Sequence, residues 1–332
     1  MAAAFSNQHA GPTGYSALIS DAGAYEDGSR VVFRVLGDQA LKMLNGLVSA
    51  DLLSASGDRA HPTLILTPKG KILADAVVIH FADRVWLDVP AAAWPGLEAH
   101  FGRYLPPRLA RLERSDMRVV RIHGPRATEH ERTDPILASL NGPTYTERDG
   151  SHWATATFRD GFAVRPPEGF DLYLPADAEV ALDLEYVSHE AWNIWRIERG
   201  IARFGSDYSD ANLPQETDFV PERVSFAKGC YTGQETVARI HYRGRVNRHL
   251  RGLKTVGSPE YNEIQQGDGI WVAEKTVGEI TSAGLSPVHG WIGLGYVRRE
   301  IEPGAEVTIS KERRAADMAV RAIVTSLPFL AP

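Results

Sequence analysis

The sequence predicts an α+β protein that ends in a small antiparallel β-barrel. Up to residue 245, strand-like runs alternate with segments whose apolar residues recur at helical spacing. From Val246 onward, short β-like runs recur between glycines, which is typical of a small barrel or sandwich. The length of 332 residues favours two or three domains and allows a large core without disulfides.

The larger region is predicted to span residues 15–245, with two subdomains that meet near residue 115. It follows a small, polar, glycine-containing arm at residues 1–14. Strands are predicted at Arg30–Leu36, Thr63–Leu66, Lys71–Ile79, Val85–Val89, Val119–His123, Ala154–Val164 and Phe170–Leu174. Helices are predicted after Gly37-Asp38, over Ala91–Tyr104 and over Ser188–Arg199. Residues 201–245, rich in Gly, Asp, Asn and Pro, predict a long functional loop with short helical pieces.

The C-terminal domain is predicted at residues 246–332. Its β-like runs are Leu250–Lys254, Gly269–Ala273, Thr276–Ala283, Trp291–Val297, Glu306–Ser310 and Met318–Thr325. Glycines separate these short runs at regular spacing, which favours antiparallel strands over long helices.

Composition excludes several classes of protein. The net charge of −6 argues against a general polyanion binder. A single cysteine excludes an intrachain disulfide and a cluster held by cysteines of this chain alone. The N-terminus lacks the features of a signal or transit peptide, and the apolar stretch Ile72–Phe81 is too short to span a bilayer. We therefore expect a cytoplasmic protein that does not enter membranes.

The single cysteine, Cys230, lies between Gly229 and Tyr231 in a loop flanked by glycines. Glycines permit unusual backbone angles and the close approach of another molecule. A neighbouring cation such as Lys228 favours the thiolate, which is the nucleophilic and metal-binding form of cysteine. The alternative is an inert loop cysteine, but the context favours a functional one.

A basic run follows this cysteine. Between Lys228 and Lys254 there are seven Lys or Arg residues against one acid, Glu235, which reverses the balance of the whole chain. The run comprises Arg239, His241, Arg243, Arg245, Arg248, His249, Arg251 and Lys254. It would suit an anionic ligand tail, RNA or an acidic partner, or it is a solvated surface. Only Tyr242 interleaves an aromatic ring, so direct nucleic-acid binding is not expected.

Two carboxylates fall on faces that the patterns predict to be apolar. Glu198 lies at i+7 from Ala191 on the apolar face of the predicted helix, and Asp75 shares a strand face with Leu73 and Val77. Such a carboxylate must be paired or must meet a ligand. Both alternatives stay open at this point. The partner within the chain would be an arginine such as Arg203 for Glu198, and backbone N–H groups or Lys71 for Asp75. The histidines have no metal-binding spacing, so no metal site is predicted.

The segment Lys228–Glu235 reads KGCYTGQE and resembles the K-G-C-Y-x-G-Q-E signature of YgfZ-type proteins. These are paralogues of the glycine-cleavage T-protein, an aminomethyltransferase. Supporting resemblances extend over most of the chain, from Val31 to Val297. They are N-G-x-x-[TS]-x-D at 45–51, P-x-G-[RK]-x-x-x-D at 68–75, R-x-E-x-G-[IV] at 196–201 and L-P-x-E at 213–216.

The resemblance implies T-protein-like folate-binding domains around a central cavity, followed by the C-terminal barrel. In T-proteins a glutamate of the R-x-E-x-G element binds the pterin ring, which implies that role for Glu198. An aspartate of an Asp-Asp pair is linked to folate chemistry in T-proteins. Here the pair is reduced to Ala74-Asp75, and T-proteins lack the cysteine of this signature, so aminomethyl transfer is not the leading expectation.

The resemblance therefore implies a tetrahydrofolate-binding accessory protein for the assembly or repair of iron–sulfur clusters in client enzymes, including tRNA-modifying ones, rather than a classical enzyme. Cys230 and Lys228 would form its reactive centre. The residues expected to bind the cofactor are Glu198, Asp75, Arg239, Tyr231 and Gln234. Expected partners are folate, client enzymes or cluster carriers, with transient contact to a cluster. The alternatives are a folate-dependent aminomethyl transferase or demethylase, and a non-catalytic adaptor.

Overall fold

The structure, a computed structural model, describes residues 11–54, 58–129, 145–147, 150–179, 182–217, 219–258, 262–311 and 319–329. Most of the predicted arm at residues 1–14 lies outside the described residues. The helices are α1 (Tyr15–Ser20), α2 (Ala40–Asn45), α3 (Trp94–Tyr104), α4 (His189–Glu198), α5 (Val220–Arg223) and α6 (Gln234–Arg243). Short 3-10 helices cover Ala91–Ala93 and Pro214–Glu216.

Within the described part of the chain, twelve strands form one sheet. They are β1 (Gly23–Glu26), β2 (Arg30–Leu36), β3 (Arg59–Leu66), β4 (Ile72–His80), β5 (Val85–Pro90), β6 (Arg111–Arg114), β7 (Arg118–His123), β8 (Tyr145–Glu147), β9 (Gly150–Phe158), β10 (Gly161–Arg165), β11 (Gly169–Leu174) and β12 (Glu185–Tyr186). The strand order is β12-β1-β7-β11-β10-β9-β3-β4-β5-β2-β6, and β8 pairs with β9.

The sheet consists of two halves that join where β3 pairs with β9, through Arg59–Ala154 and Ala60–Trp153. One half packs its apolar side chains against α2 and α3, and the other has a separate core around β7, β10 and β11. Strand β6 belongs to the first half and β7 to the second. This arrangement agrees with two subdomains, and their boundary near residue 115 stays a prediction.

The C-terminal strands form a closed antiparallel barrel in the order β13-β16-β15-β14-β17-β18. They are β13 (Arg248–Thr255), β14 (Gly269–Val272), β15 (Lys275–Ser286), β16 (Gly290–Arg298), β17 (Glu306–Ser310) and β18 (Val320–Thr325). Each of the six predicted β-like runs therefore forms a strand, and together they enclose an apolar core of their own. The predicted fold class is confirmed.

One local prediction was wrong. The stretch Ala154–Val164 is a hairpin rather than one strand, because the chain reverses at Arg159 and Asp160 between β9 and β10. The region 201–245 contains short helical pieces, as predicted, and the longest of them is the ten-residue helix α6, which buries Val237.

Candidate functional site

A cavity of about 590 Å³ lies between the two halves of the sheet and α4. This volume is within the range of roughly 300–1,000 Å³ that is usual for small-molecule sites. Strands β2, β4, β7 and β11 and the turn after β1 contribute charged residues to it, while α4 and the segment that follows contribute aromatic residues and arginines. The site therefore combines apolar walls with buried charges.

One part of the cavity lining is an ionic network around Arg30. Its guanidinium donates to Asp75 at 2.9 Å and to Asp88 at 2.8 Å, and the Tyr173 hydroxyl donates to Asp88 at 2.8 Å. Tyr208 also donates to Asp75. Burial raises the pKa of the Asp75 carboxyl, but the charges of Arg30 and Arg223 outweigh it and hold that pKa below its usual value. Asp75 is therefore an ionised carboxylate at the cavity.

A second network surrounds Arg121, which donates to Asp27 at 2.8 Å and to Asp171 at 2.7 Å. The His123 ring lies 3.3 Å from Asp171 through its Nε2 atom. Burial raises the pKa of both carboxyls, but the Arg121 charge overrides burial and leaves each pKa below its usual value. The two networks fix the charges of the cavity before any ligand arrives.

The aromatic wall is built by α4, which begins after Ser188, whose hydroxyl accepts from the Ala191 amide at 3.2 Å. The i, i+3 spacing puts Trp192 and Trp195 side by side, with ring centroids 4.8 Å apart. Tyr25 stacks on Trp192 at 4.7 Å and 10°. A flat heteroaromatic ligand is the chemistry that such a wall suits.

Several lining residues carry buried polar atoms that have no hydrogen-bond partner within the described part of the chain. They are the indole Nε1 atoms of Trp153 and Trp195 and Nδ1 of His123. Buried polar groups are nearly always satisfied, so a cluster of unsatisfied ones around one cavity indicates a site for a polar ligand.

Glu198 does not line this cavity. Its carboxylate accepts from the Tyr15 hydroxyl at 2.7 Å and from the Ser286 hydroxyl at 2.6 Å, at the junction of α1, α4 and the barrel. Burial raises the pKa of Glu198, although both hydrogen bonds oppose the rise. The anticipated ion pair with Arg203 does not form, since Arg203 instead lies 3.4 Å from His189. The residue predicted to bind a pterin ring thus lies apart from the cavity, and the folate titration of Glu198→Gln described below tests that prediction.

The cysteine loop is exposed at Cys230 and anchored at Lys228. The Lys228 ammonium donates to the backbone oxygens of Asn45, Val48 and Ala50 at 2.6–3.0 Å and to the Asn45 side chain at 3.1 Å. These bonds join the cysteine loop to the end of α2. Lys228 thus has a positioning role, and its effect on the thiol stays a prediction.

The other predicted site residues lie around this loop. The buried Tyr231 ring packs 5.2 Å from the Lys228 ammonium, and burial raises the pKa of Tyr231 to about 12. Gln234 begins α6, and Arg239 is exposed on it. Of the seven predicted residues, Asp75 alone lines the cavity. The structure therefore separates a cavity from an exposed cysteine loop.

The residues that sequence reasoning missed are the arginines and tryptophans of the cavity. Arg121 interrupts the otherwise apolar run Val119–Ile122, which was a usable signal for a buried charge in a strand. Trp192 lies three residues before Trp195 on the predicted helix, which could have indicated an aromatic face. Nothing local marked Arg30, because its partner Asp75 is 45 residues away.

The loop geometry predicts opposite responses at two glycines. Gly233 has φ +84°, and a Cβ there would lie 2.5 Å from the Thr67 carbonyl oxygen. Gly233→Ala should therefore lower the free energy of unfolding by about 1–3 kcal/mol. A Cβ on Gly229 would meet no described residue within 4 Å apart from its chain neighbours. Gly229→Ala should therefore change the free energy of unfolding by less than about 0.5 kcal/mol. Urea denaturation of both variants measures this, and equal losses would contradict it.

Comparison with known proteins agrees with this architecture. Residues 248–330 match the family described as "Glycine cleavage T-protein C-terminal barrel domain". The crystal structure of the glycine cleavage system aminomethyltransferase T from Bartonella henselae superposes with a TM-score of 0.77 at 22% identity, covering 95% of this chain and 88% of that one. The fold is that of a T-protein.

Three relatives by sequence illustrate the range of matches. An aminomethyltransferase of Nostoc sp. is 26% identical over 95% of this chain and 86% of its own length. The tRNA-modifying protein YgfZ of Vibrio vulnificus is 32% identical over 33% of this chain and 36% of its own. A mitochondrial iron–sulfur cluster assembly factor IBA57 homolog of Mycosarcoma maydis is 26% identical over 79% of this chain and 67% of its own. Together with the fold, these matches make the chain similar both to aminomethyltransferases and to YgfZ-type proteins, which supports the resemblance found in its sequence motifs.

Among the described helices, none has both the length and the apolar character required to cross a lipid bilayer.

Proposed function

We propose that this protein binds a tetrahydrofolate in its central cavity and serves the assembly or repair of iron–sulfur clusters in cytoplasmic client enzymes, through Cys230. The observation that carries the folate half is the cavity itself. Its indole wall suits a pterin ring, its unsatisfied N–H groups suit a polar heterocycle, and Asp75 offers an ionised acceptor.

The rim of the cavity suits the anionic end of the same ligand. Arg199 and Arg203 line it, and the Arg199 side chain is 40% exposed, with its guanidinium 3.4 Å from the Glu168 carboxylate. A folate carries carboxylates on its glutamate tail, and exposed guanidiniums bind carboxylates through paired N–H donors. The proposed ligand therefore has its ring against the tryptophans and its tail at the arginines.

The cysteine half rests on Cys230 being exposed on an anchored loop, and on the likeness to YgfZ and IBA57 proteins. One thiolate cannot hold an iron–sulfur cluster alone, so the client or carrier would supply the other ligands. The chain would act as an accessory to that partner, with tRNA-modifying enzymes among its clients.

The test is calorimetric titration of tetrahydrofolate into the wild type and into Asp75→Asn, Glu198→Gln and Cys230→Ser. We expect Asp75→Asn to weaken binding by about tenfold or more, because a charge-assisted hydrogen bond contributes roughly 1.5–3 kcal/mol. Glu198→Gln and Cys230→Ser should bind as the wild type does.

The variants that lose folate binding show where the ligand lies. Loss of binding in Glu198→Gln alone would indicate that folate binds at the junction of Tyr15, Glu198 and Ser286 instead of in the cavity. No binding to the wild type would favour the non-catalytic adaptor and leave Cys230 as its centre. For the cysteine half, cells carrying Cys230→Ser as their sole copy should lose client-enzyme activity, and full activity there would overturn it.

A folate-dependent one-carbon transferase is the second candidate. It is favoured by the ionised Asp75 in the cavity and by similarity to an aminomethyltransferase along nearly the whole chain. Turnover of tetrahydrofolate with an aminomethyl donor that survives Cys230→Ser would establish it.

A further inference from the structure

We infer that the exposed face of α6 beside Cys230 docks an acidic segment of a partner protein. Four exposed residues lie on this face at i, i+4, i+7 and i+8: Glu235, Arg239, Tyr242 and Arg243. The Tyr242 side chain is 67% exposed, while Val237 on the opposite face is fully buried. Arg245 continues the basic surface beyond the helix end.

The cations of this surface are not used within the protein. The side chains of Arg239, Arg243 and Arg245 make no ion pair or hydrogen bond with any residue that the structure describes, whereas the neighbouring Arg248 binds Glu216 at 3.1 Å. The partial negative charge of a helix C-terminus favours cations in the last turn. It does not account for Arg239, which lies a turn earlier, so an external anion is the better explanation.

The spacing of the cations suits an extended anion. Arg239 and Arg243 lie about 6 Å apart along the helix at 1.5 Å per residue, and Arg245 follows beyond the helix end. An acidic peptide can place a carboxylate at each of these three arginines. Single-stranded RNA needs successive stacking platforms, and this face presents one exposed aromatic ring.

The surface and the thiol belong to one packed unit. Phe226 stacks on His241 with ring centroids 3.9 Å apart and meets Tyr242 edge-on at 5.9 Å, so the loop towards Cys230 runs back along α6. Lys228 fixes the middle of that loop through its bonds to the end of α2. An acidic segment bound on α6 would therefore bring its own protein to Cys230.

The test measures how peptide charge changes the reactivity of Cys230, the one cysteine in the chain. The Cys230 thiolate attacks a peptide's pyridyl disulfide, a peptide–Cys230 disulfide forms, and pyridine-2-thione leaves with the electron pair and is followed by absorbance. Two peptides are compared that differ in having glutamates or glutamines. At low salt we expect the glutamate peptide to react about tenfold faster, and the advantage to vanish in high salt.

Variants locate the effect. Arg239→Glu/Arg243→Glu should make the glutamate peptide slower than the glutamine one. Arg111→Glu/Arg114→Glu changes the net charge by the same amount, but these residues lie on the exposed edge strand β6. This variant should keep the wild-type ratio of the two peptides' reaction rates. The uncharged reagent 2,2′-dipyridyl disulfide should react at the same rate with all three proteins, which shows that the thiol itself is unaltered.

Three outcomes would overturn the inference. The first is an equal rate for both peptides in the wild type, and the second is an equal loss of the glutamate peptide's rate advantage in both double variants. The third is suppression of the reaction by oligouridylate but not by polyglutamate of equal charge. The last would assign the face to RNA. The inference rests on the proposed function only for the role of Cys230, and folate titrations of the same variants keep the two apart. A wild type that binds no folate but retains the peptide preference refutes only the folate proposal.

Discussion

Replacing Arg121 by leucine is expected to lower the free energy of unfolding by about 3–5 kcal/mol, because it leaves two buried carboxylates without a counter-ion. Asp27 and Asp171 bind opposite sides of the guanidinium at 2.8 and 2.7 Å, and their side chains are 8% and 3% exposed. Urea denaturation followed by tryptophan fluorescence measures the loss. The matched control is Arg126→Leu. Arg126 pairs with Glu129, which is half exposed, so this substitution should lower the free energy of unfolding by less than about 1 kcal/mol.

The pH dependence of this loss has a defined sign. In the wild type, Asp27 and Asp171 have a pKa below the unfolded value, so their stabilisation is present above pH of about 4 and is lost as the pH falls further. In Arg121→Leu, burial is opposed only in part, by Ser29 and Arg30 at Asp27 and by His123 at Asp171, and we expect both pKa values to rise above the unfolded value. The variant's folded state then binds more protons as the pH falls. The difference in free energy of unfolding between the wild type and the variant should therefore shrink between pH 7 and pH 5. A difference that is constant across this range would contradict this explanation.

The fold was predictable where the signal is local. Each barrel run and the helix over residues 188–199 follow from periodicity and glycine spacing, and the structure reproduces them within a few residues. The hairpin at Arg159 was missed although its sequence carried a signal, since Asp160-Gly161 is a dipeptide typical of tight turns. The bounds of α6 were also within reach of the sequence, since Gly233 precedes the helix and Val237 and Ile240 repeat at i, i+3.

The candidate site was predictable only in part, because its charges are paired over long sequence separations. Asp75 was singled out since a carboxylate interrupts an apolar strand, and the structure places it at the cavity. Its partners Arg30 and Tyr208 come from elements 45 and 133 residues away. The same logic singled out Glu198, but a periodic pattern shows only that a carboxylate is buried. It cannot distinguish a ligand contact from hydroxyl partners such as Tyr15.

The second large effect is expected at the joint between the sheet and the barrel. Asp207 is fully buried and accepts from Arg196 of α4 at 2.7 Å, from the Arg203 amide at 2.9 Å and from Thr281 of the barrel at 2.6 Å. Arg196 also donates to Ser282 of the barrel at 2.7 Å. One carboxylate thus joins α4, the segment after it and strand β15.

Asp207→Ala should lower the free energy of unfolding by about 3–5 kcal/mol, because it leaves the Arg196 guanidinium buried without a counter-ion. Asp207→Asn keeps the acceptor for Thr281 and should lose less, by about 1–3 kcal/mol. Asp210→Ala, three residues on and exposed, should stay within about 0.5 kcal/mol of the wild type. Because the joint is what weakens, hydrogen exchange should speed up in the barrel strands before the sheet strands. Uniform acceleration in both would show that Asp207 stabilises the chain without coupling its two parts.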